Sequence, residues 1–540
     1  MSELNPAILS HLIALKSELE PQRDILTFEH LSLDGGKMPD EVRTYADLFR
    51  NGQRLAAYLI GQGMKKGDRF AIMLRNHPEF VEAMVATAMT GTVFVPIDPR
   101  TMGEKLAFML NNSESQGLLC ADYALAAVDA VRRLCPQLRW VLALDSGEFT
   151  NSAIKDFRDV DDIGQVLAAT VPSVPMADLD LSDPYQIIYT SGTTGDPKGI
   201  VGSIGRFGGT GRMGEIFGYQ PDERPYTGLS LTHSNAQATA LCPALFAGYR
   251  AIFSRRFTKS KLWDVARKYA CTSFSMLGGM ATGIYSEPAR FDDAGNPVRL
   301  VISAGMPAAI WVPFEKRFGV RVFEIYGASD GGGMAFKHPN EGPIGSFGKA
   351  MAGYEMKILD EDGNECHPGV VGEICCRPAS GSPVSVAVEY HGNPEASQKK
   401  IRDGWNRSGD MGHSNAEGWL FYDYRKGGGI RRNGDFINPS LVERVVAEDP
   451  QIDDVYVYGI EAKSGAPGEK DLVAAVVPVD ATKFDVGKLF ANCRAALEPN
   501  FVPSYVQVVA EIPKTASEKP LERLLLESFS IGGAGIHAES

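Results

Sequence analysis

The chain has no apolar run of membrane-spanning length, no CxxC pair and no excess of positive charge. The first absence argues against stable membrane insertion. With 67 acidic residues against 54 basic ones and a net charge of −13, the chain is a poor general binder of nucleic acid or membrane surfaces. A local basic site for an anionic cofactor is compatible with that balance. The cysteines Cys120, Cys135, Cys242, Cys271, Cys366, Cys375, Cys376 and Cys493 are dispersed. Cys375 and Cys376 sit in an apolar run, so buried thiols are expected rather than metal ligands. Residues 1–21 are amphipathic and acidic, without the basic start and apolar core of a signal peptide. A reducing, cytoplasmic setting is the expectation.

What is present is an ordinary globular composition, 44% apolar and 22% charged, over 540 residues. That length exceeds what one core usually supports, so two or more domains are expected. The organising stretch is Tyr189–Gly199, YTSGTTGDPKG, led in by a β-type run from Tyr185. Its glycines let backbone amides approach an anion, and its hydroxyls and consecutive N–H groups suit a phosphate-binding nest. Lys198 adds a point charge. The common phosphate loop needs Gly-Lys-Ser/Thr, whereas here Lys198 follows Pro197. A second glycine pattern, Gly209–Gly214, matches GxGxxG, but with no clear strand before it a dinucleotide site is not expected.

Elsewhere strands and helices alternate. Residues 42–66 and 78–89 read as helices, and Arg69–Leu74 and Gly91–Asp98 as strands, which predicts an α/β parallel sheet. Residues 145–184 read as loop. Arg299–Pro307 and Arg321–Gly327 each read as a strand ending in a glycine-bearing turn, at the sheet edge where open α/β proteins bind ligands. There Tyr326 and the Ala304–Gly305 backbone offer flat faces to a planar base, and Asp330 offers hard oxygen to a phosphate-bound metal. Residues 342–378 alternate short strands with Asp-Gly and Pro-Gly turns, as in a small β-barrel. Asp410 can accept two hydroxyl hydrogen bonds, which suits a ribose diol. Gly427–Gly429 then interrupt the chain, and a smaller α+β pattern follows. Domains of 1–426 and 427–540 are expected.

In this order, these motifs resemble those of the adenylate-forming superfamily, which includes acyl- and aryl-CoA synthetases, peptide-synthetase adenylation domains and luciferases. The resemblance implies a large N-terminal domain of two α/β sheet subdomains plus a small β-barrel, carrying a smaller mobile α+β C-terminal domain. It implies ATP, Mg²⁺ and coenzyme A as co-substrate. Thr190, Ser191, Gly192, Thr193, Thr194 and Lys198 would hold phosphates. Ala304, Gly305, Glu324, Tyr326, Gly327 and Ser329 would line the rest of the ATP/AMP site, with Asp410 and Arg425 at the ribose and Asp330 at the metal. His233 matches the residue that moves between gating the pantetheine tunnel and lining the carboxylate pocket. Arg431, Arg432 and Gly434 match the segment that meets CoA, and Lys519 the catalytic lysine. The chain departs from the family pattern at Ser329 for Thr, Asp330 for Glu, Ser408 for Thr, Gly428 for the hinge Asp or Lys, and Glu518 for Gly. The shorter Asp330 shifts the metal position.

The implied activity is that of a carboxylate–CoA ligase passing through an acyl adenylate. The alternative is a stand-alone adenylation enzyme that loads a carrier-protein thiol. The implied partners are a carboxylic acid and CoA, with no nucleic acid, in a monomer or homodimer. Segments 254–269 and 392–397 resemble carnitine- and crotonobetaine-CoA ligase-like sequences.

Overall fold

The computed structural model describes residues 4–148, 153–189, 197–328, 330, 333–382, 385–426, 430–432, 435–437, 439–463, 470–515, 518 and 520–539. It is a mixed α/β protein whose chain divides into two compact units. One comprises residues 1–275, 296–302 and 387–399, the other residues 276–295, 303–386 and 400–540.

In the first unit a seven-stranded sheet runs in the order Asp161–Asp162, Trp140–Leu144, Gly117–Ala121, Arg69–Met73, Val93–Pro96, Pro184–Tyr189, Gly199–Ser203. Neighbours are parallel except the last two, which are antiparallel, so the chain reverses direction between Tyr189 and Gly199. The near-continuous apolar strands fit a sheet covered on both faces. Ala71, Val95, Leu118, Cys120, Val141 and Ile187 lie in its core. The helix Tyr45–Gly61 starts at a capping box in which Thr44 and Asp47 satisfy each other's backbone N–H groups. The helix Pro78–Thr90 begins with proline, ends at Gly91 with φ of 71°, and buries every residue. A second group of strands in this unit, Pro225–Thr227, Ala251–Ser254 and Asp24–Glu29, is parallel, and Glu41–Thr44 adds antiparallel to it.

In the second unit the strands Arg321–Gly327, Met334–Lys337, Ser346–Ala350, Leu420–Arg425, Trp405–Ser414, Gly372–Pro378 and Tyr354–Leu359 follow one another antiparallel. The region expected to form a barrel is an open run. Among the described residues no ladder joins its two ends. The C-terminal part of this unit has a four-stranded sheet, Ile452–Glu461, Lys470–Pro478, Tyr505–Val508 and Ile536–Ala538. Its helices Pro439–Ala447 and Val486–Ala496 pack Val442, Val446 and Leu489 against Leu472 and Val476.

The segment 145–184, read from sequence as loop, contains a helix, Ile163–Ala168, started by the Asp162 side chain accepting from Gly164 N–H. Its brevity hides it from any periodicity argument. The GxGxxG run joins the end of the helix Ile204–Thr210 to a four-residue helix, Met213–Ile216, with no strand leading into it, and a Cβ on Gly211 would meet the Phe246 ring at 2.3 Å. Gly211 and Gly214 serve packing, Gly214 against Tyr249. Among the described residues no helix is long and apolar enough to cross a membrane, and every cysteine except Cys366 is buried.

Candidate active site

The first unit carries Lys198 and His233. Thr190, Ser191, Gly192, Thr193 and Thr194 lie outside the described residues. Lys198 directly precedes the strand Gly199–Ser203. That strand is held from its far side by residues 389–391, with Val201 N–H donating to Glu389 O at 2.9 Å and His391 N–H to Gly199 O at 2.7 Å. The same contact brings the Tyr390 ring 5.2 Å from the Lys198 ammonium, within cation–π range.

His233 sits at the start of a short helix, Ser234–Ala236, which runs on through a π-helical turn, Gln237–Leu241. Such turns are frequent at functional sites. Two side chains that sequence reasoning missed fix the approach to His233. Gln237 Nε2 donates to Leu231 O at 3.0 Å. Asn76, 1% exposed, donates to Leu229 O at 2.9 Å and Ser254 O at 2.8 Å, and accepts from Leu231 N–H at 2.8 Å. One amide thereby satisfies three buried backbone groups from two strand ends, where each unmet group would be costly. Arg255, also buried, donates to Asn76 O and pairs with Glu41.

The second unit carries the remaining described candidates. Gly305 has φ of 95°, so the Ala304–Gly305 turn requires glycine. The Gly305 carbonyl lies so close to Gly278 that a Cβ there would sit 2.3 Å from it. Glu324, 3% exposed, accepts from Gly305 N–H at 2.5 Å and from Met306 N–H at 3.1 Å. Burial pushes its carboxyl up to about 8, against the pull of those N–H groups and of Lys337. Lys337 stands opposite Glu324 in the ladder and lies 4.0 Å over the Trp311 ring. Glu324 thus braces the turn, through its own side chain.

Tyr326, Asp410 and Arg425 form one cluster. Tyr326 O–H donates to Asp410 Oδ2 at 2.7 Å, and Arg425 Nη1 donates to Asp410 Oδ1 at 2.7 Å. The Tyr326 ring stacks on Phe347 at 4.5 Å. Asp410 and Arg425 face each other because their strands pair in that register. Gly409, with φ of 80°, lets the Arg425 guanidinium pass within 3.3 Å of where a Cβ would stand. Gly327 ends the Arg321–Gly327 strand, and Ser329 lies outside the described residues.

Asp330, expected at a metal, is buried and pairs with Lys400, whose Nζ lies 2.5 Å from Asp330 Oδ2. No group of three or more His, Cys, Asp or Glu among the described residues could hold a metal. An ammonium on the one carboxylate does not fit a magnesium ion ligated by the free protein through Asp330.

In the C-terminal part, Lys519, Gly434 and Gly427–Gly429 lie outside the described residues, as does the side chain of Arg431. On either side of Lys519 in sequence, Lys514 and Pro520 form a bridge and Leu521 N–H donates to Pro513 O at 2.7 Å. Glu518, at the position of a family glycine, has φ of 57°, the left-handed conformation glycine favours. Its carbonyl lies 3.8 Å from a Cβ built on Gly279, beside the Gly278–Gly305 approach. Asp453 accepts from Ser286 Oγ at 3.1 Å, and Asp454 pairs with Lys514. Arg432 donates to Asn500 O at 3.1 Å and Val502 O at 2.5 Å, so in this conformation its guanidinium anchors backbone.

A family model described as AMP-binding enzyme matches residues 19–384, and one described as AMP-binding enzyme C-terminal domain matches residues 441–519. The crotonobetaine/carnitine–CoA ligase of Salmonella typhimurium is 26% identical over 489 residues, 89% of this chain and 92% of that one. A crystal structure of the anthranilate CoA ligase AuaEII with anthranoyl-AMP superposes with a TM-score of 0.83 at 18% identity, covering 96% of each chain. The O-succinylbenzoate coenzyme A synthetase of Bacillus subtilis, in complex with ATP and magnesium ion, gives 0.75 at 24% identity over 95% of this chain and 99% of its own.

Proposed function

We propose that this chain, which belongs to the AMP-binding enzyme family, is an ATP-dependent carboxylate–CoA ligase. Its substrates are a carboxylic acid, MgATP and CoA. The carboxylate oxygen attacks the α-phosphorus of ATP, the bond to the β-phosphate oxygen breaks, and pyrophosphate leaves. The CoA thiol, losing its proton, then attacks the acyl carbon of the mixed anhydride and AMP departs. Little covalent chemistry falls to the protein, which orients reactants and balances charge.

The observation that carries this reading is the Tyr326–Asp410–Arg425 cluster beside the turn braced by Glu324. Asp410 accepts one hydrogen bond on each oxygen and keeps a second acceptor site on each, which suits the two hydroxyls of a ribose. The Tyr326 ring, fixed by Phe347 and its own O–H, supplies a rigid aromatic surface for a base. Lys519 would stabilise charge on the phosphates in the first step, and the 431–434 segment would serve CoA in the second. Domains of 1–426 and 427–540 fit such a division of labour, with residues 427–429 as the hinge.

The relatives' names point to small quaternary-ammonium or aromatic acids. The test is pyrophosphate release across a panel of carboxylic acids that includes both classes, followed by thioester detection with CoA and with a carrier protein. Acid-dependent pyrophosphate release with thioester formed on CoA is expected. Release with a thioester formed only on the carrier would overturn the CoA reading, and no acid-dependent release at all would overturn the ligase reading.

A further inference from the structure

Lys400 lies 70 residues from Asp330 in sequence, at the end of the segment Pro394–Lys400. Its Nζ donates to Asp330 Oδ2 at 2.5 Å and to Ser408 O at 3.3 Å, and the two charged side chains are 11% and 12% exposed. Ser408 O also accepts from Arg425 Nη1 at 2.9 Å, and that guanidinium pairs with Asp410. Asp330, Lys400, Arg425 and Asp410 therefore form one connected network of two carboxylates and two fixed cations. Asn406 Nδ2 holds the Asp330 carbonyl at 3.3 Å and the Val386 carbonyl at 3.0 Å, which fixes the backbone that carries the carboxylate.

An ammonium and a divalent ion on one carboxylate repel each other, and in a buried site water screens that repulsion little. Magnesium also sheds its water reluctantly and commonly reaches proteins through substrate phosphates and one or two carboxylates. We propose that Lys400 is a built-in cation of the nucleotide site that claims the Asp330 carboxylate, so that the free protein binds no divalent metal there and magnesium enters with the triphosphate. The proposal rests on reading this cluster as part of the nucleotide site, and it gives the site a positively charged residue that the family motifs do not announce.

The test is titration of nucleotide-free protein with Mn²⁺, followed by loss of the free-ion electron paramagnetic resonance signal. Wild type is compared with Lys400→Met, Asp330→Asn and the double variant, each checked for folding by circular dichroism. Wild type is expected to leave the signal unchanged up to millimolar Mn²⁺. Lys400→Met is expected to gain a site at least about tenfold tighter, the scale on which residues contacting a metal's ligands alter affinity. The double variant is expected to lose it. Binding of one Mn²⁺ by wild type that Asp330→Asn removes would overturn the proposal, and that comparison stands even if Lys400→Met does not fold. No gain in a folded Lys400→Met would overturn it as well. Because the readout is metal binding, a failed ligase assay would leave this result intact, and the reverse also holds.

Discussion

Replacing Glu324 with Gln should change the pH dependence of stability in a defined direction. Glu324 is buried, and its carboxyl is pushed up to about 8 from an ordinary value of 4.5, chiefly by burial. A raised acid means that the folded protein binds a proton that the unfolded chain has already released. The stabilisation is therefore complete below about pH 4.5 and is lost as pH rises toward 8. The slope is about 1.4 kcal/mol per pH unit, so the loss amounts to roughly 3–5 kcal/mol across the window. Gln keeps an acceptor for Gly305 and Met306 N–H but carries no ionisable proton, so its stability should not follow this slope. For a unit of a few hundred residues, each kcal/mol moves Tm by about 2–4 °C. The melting temperature of Glu324→Gln relative to wild type, taken by calorimetry between pH 5 and pH 8.5, should rise by on the order of 10 °C. Parallel profiles for the two proteins would refute the argument, since they would mean that Glu324 titrates alike in folded and unfolded chains. Lys337→Met serves as a control, because removing the cation opposite Glu324 should raise its carboxyl further and carry the wild-type loss to higher pH at the same slope.

Asn76→Ala should destabilise the protein by about 3 kcal/mol or more, since three buried backbone groups lose their partner. In the protein that still folds, KM for the acid should rise more than KM for ATP, and equal changes would mean that Asn76 acts on stability alone. Lys519→Ala should slow adenylate formation by on the order of 10²–10³ while sparing thioester formation from supplied adenylate. Single-turnover measurement of each half-reaction decides, and equal losses would point to a structural role. Glu518→Gly should keep the loop and raise stability by up to about 1 kcal/mol, since it removes left-handed strain at φ of 57°. A fall in Tm would show that the Glu518 side chain holds the loop.

Much of the fold is legible in the sequence because its strands are local apolar runs broken by glycine turns. Arg69–Met73 and Pro78–Thr90 sit within a residue or two of where periodicity puts them. Tyr326 is legible as a candidate because it sits at the end of such a strand, and Asp410 because it stands in the Ser408-Gly-Asp410 motif inside one. What periodicity cannot reach is a partner set by long-range register. Asn76 meets Leu231 across 155 residues, and Lys400 meets Asp330 across 70. Neither residue type is unusual where it stands, so nothing local marks it. Glu324 differs in that its place in the EIYG strand is legible, while its acceptance of the Gly305 and Met306 N–H groups depends on a neighbouring turn 18 or 19 residues away.

If the proposed nucleotide site is right, the same geometry lets it be bonded before a nucleotide enters and still have bonds to give. An ionised carboxylate has about four acceptor positions. Asp410 commits one on each oxygen, to Tyr326 and to Arg425. Those two bonds orient the group, and on the proposed reading a ribose would take the remaining positions without displacing a partner. Arg425 is held in turn by Ser408 O, the atom that also receives Lys400, so orientation passes along one polar network from Asp410 to Asp330. The entropy of arranging these donors is met when the protein folds, not when the nucleotide binds, which is the condition under which fixed dipoles and charges contribute most to binding and rate.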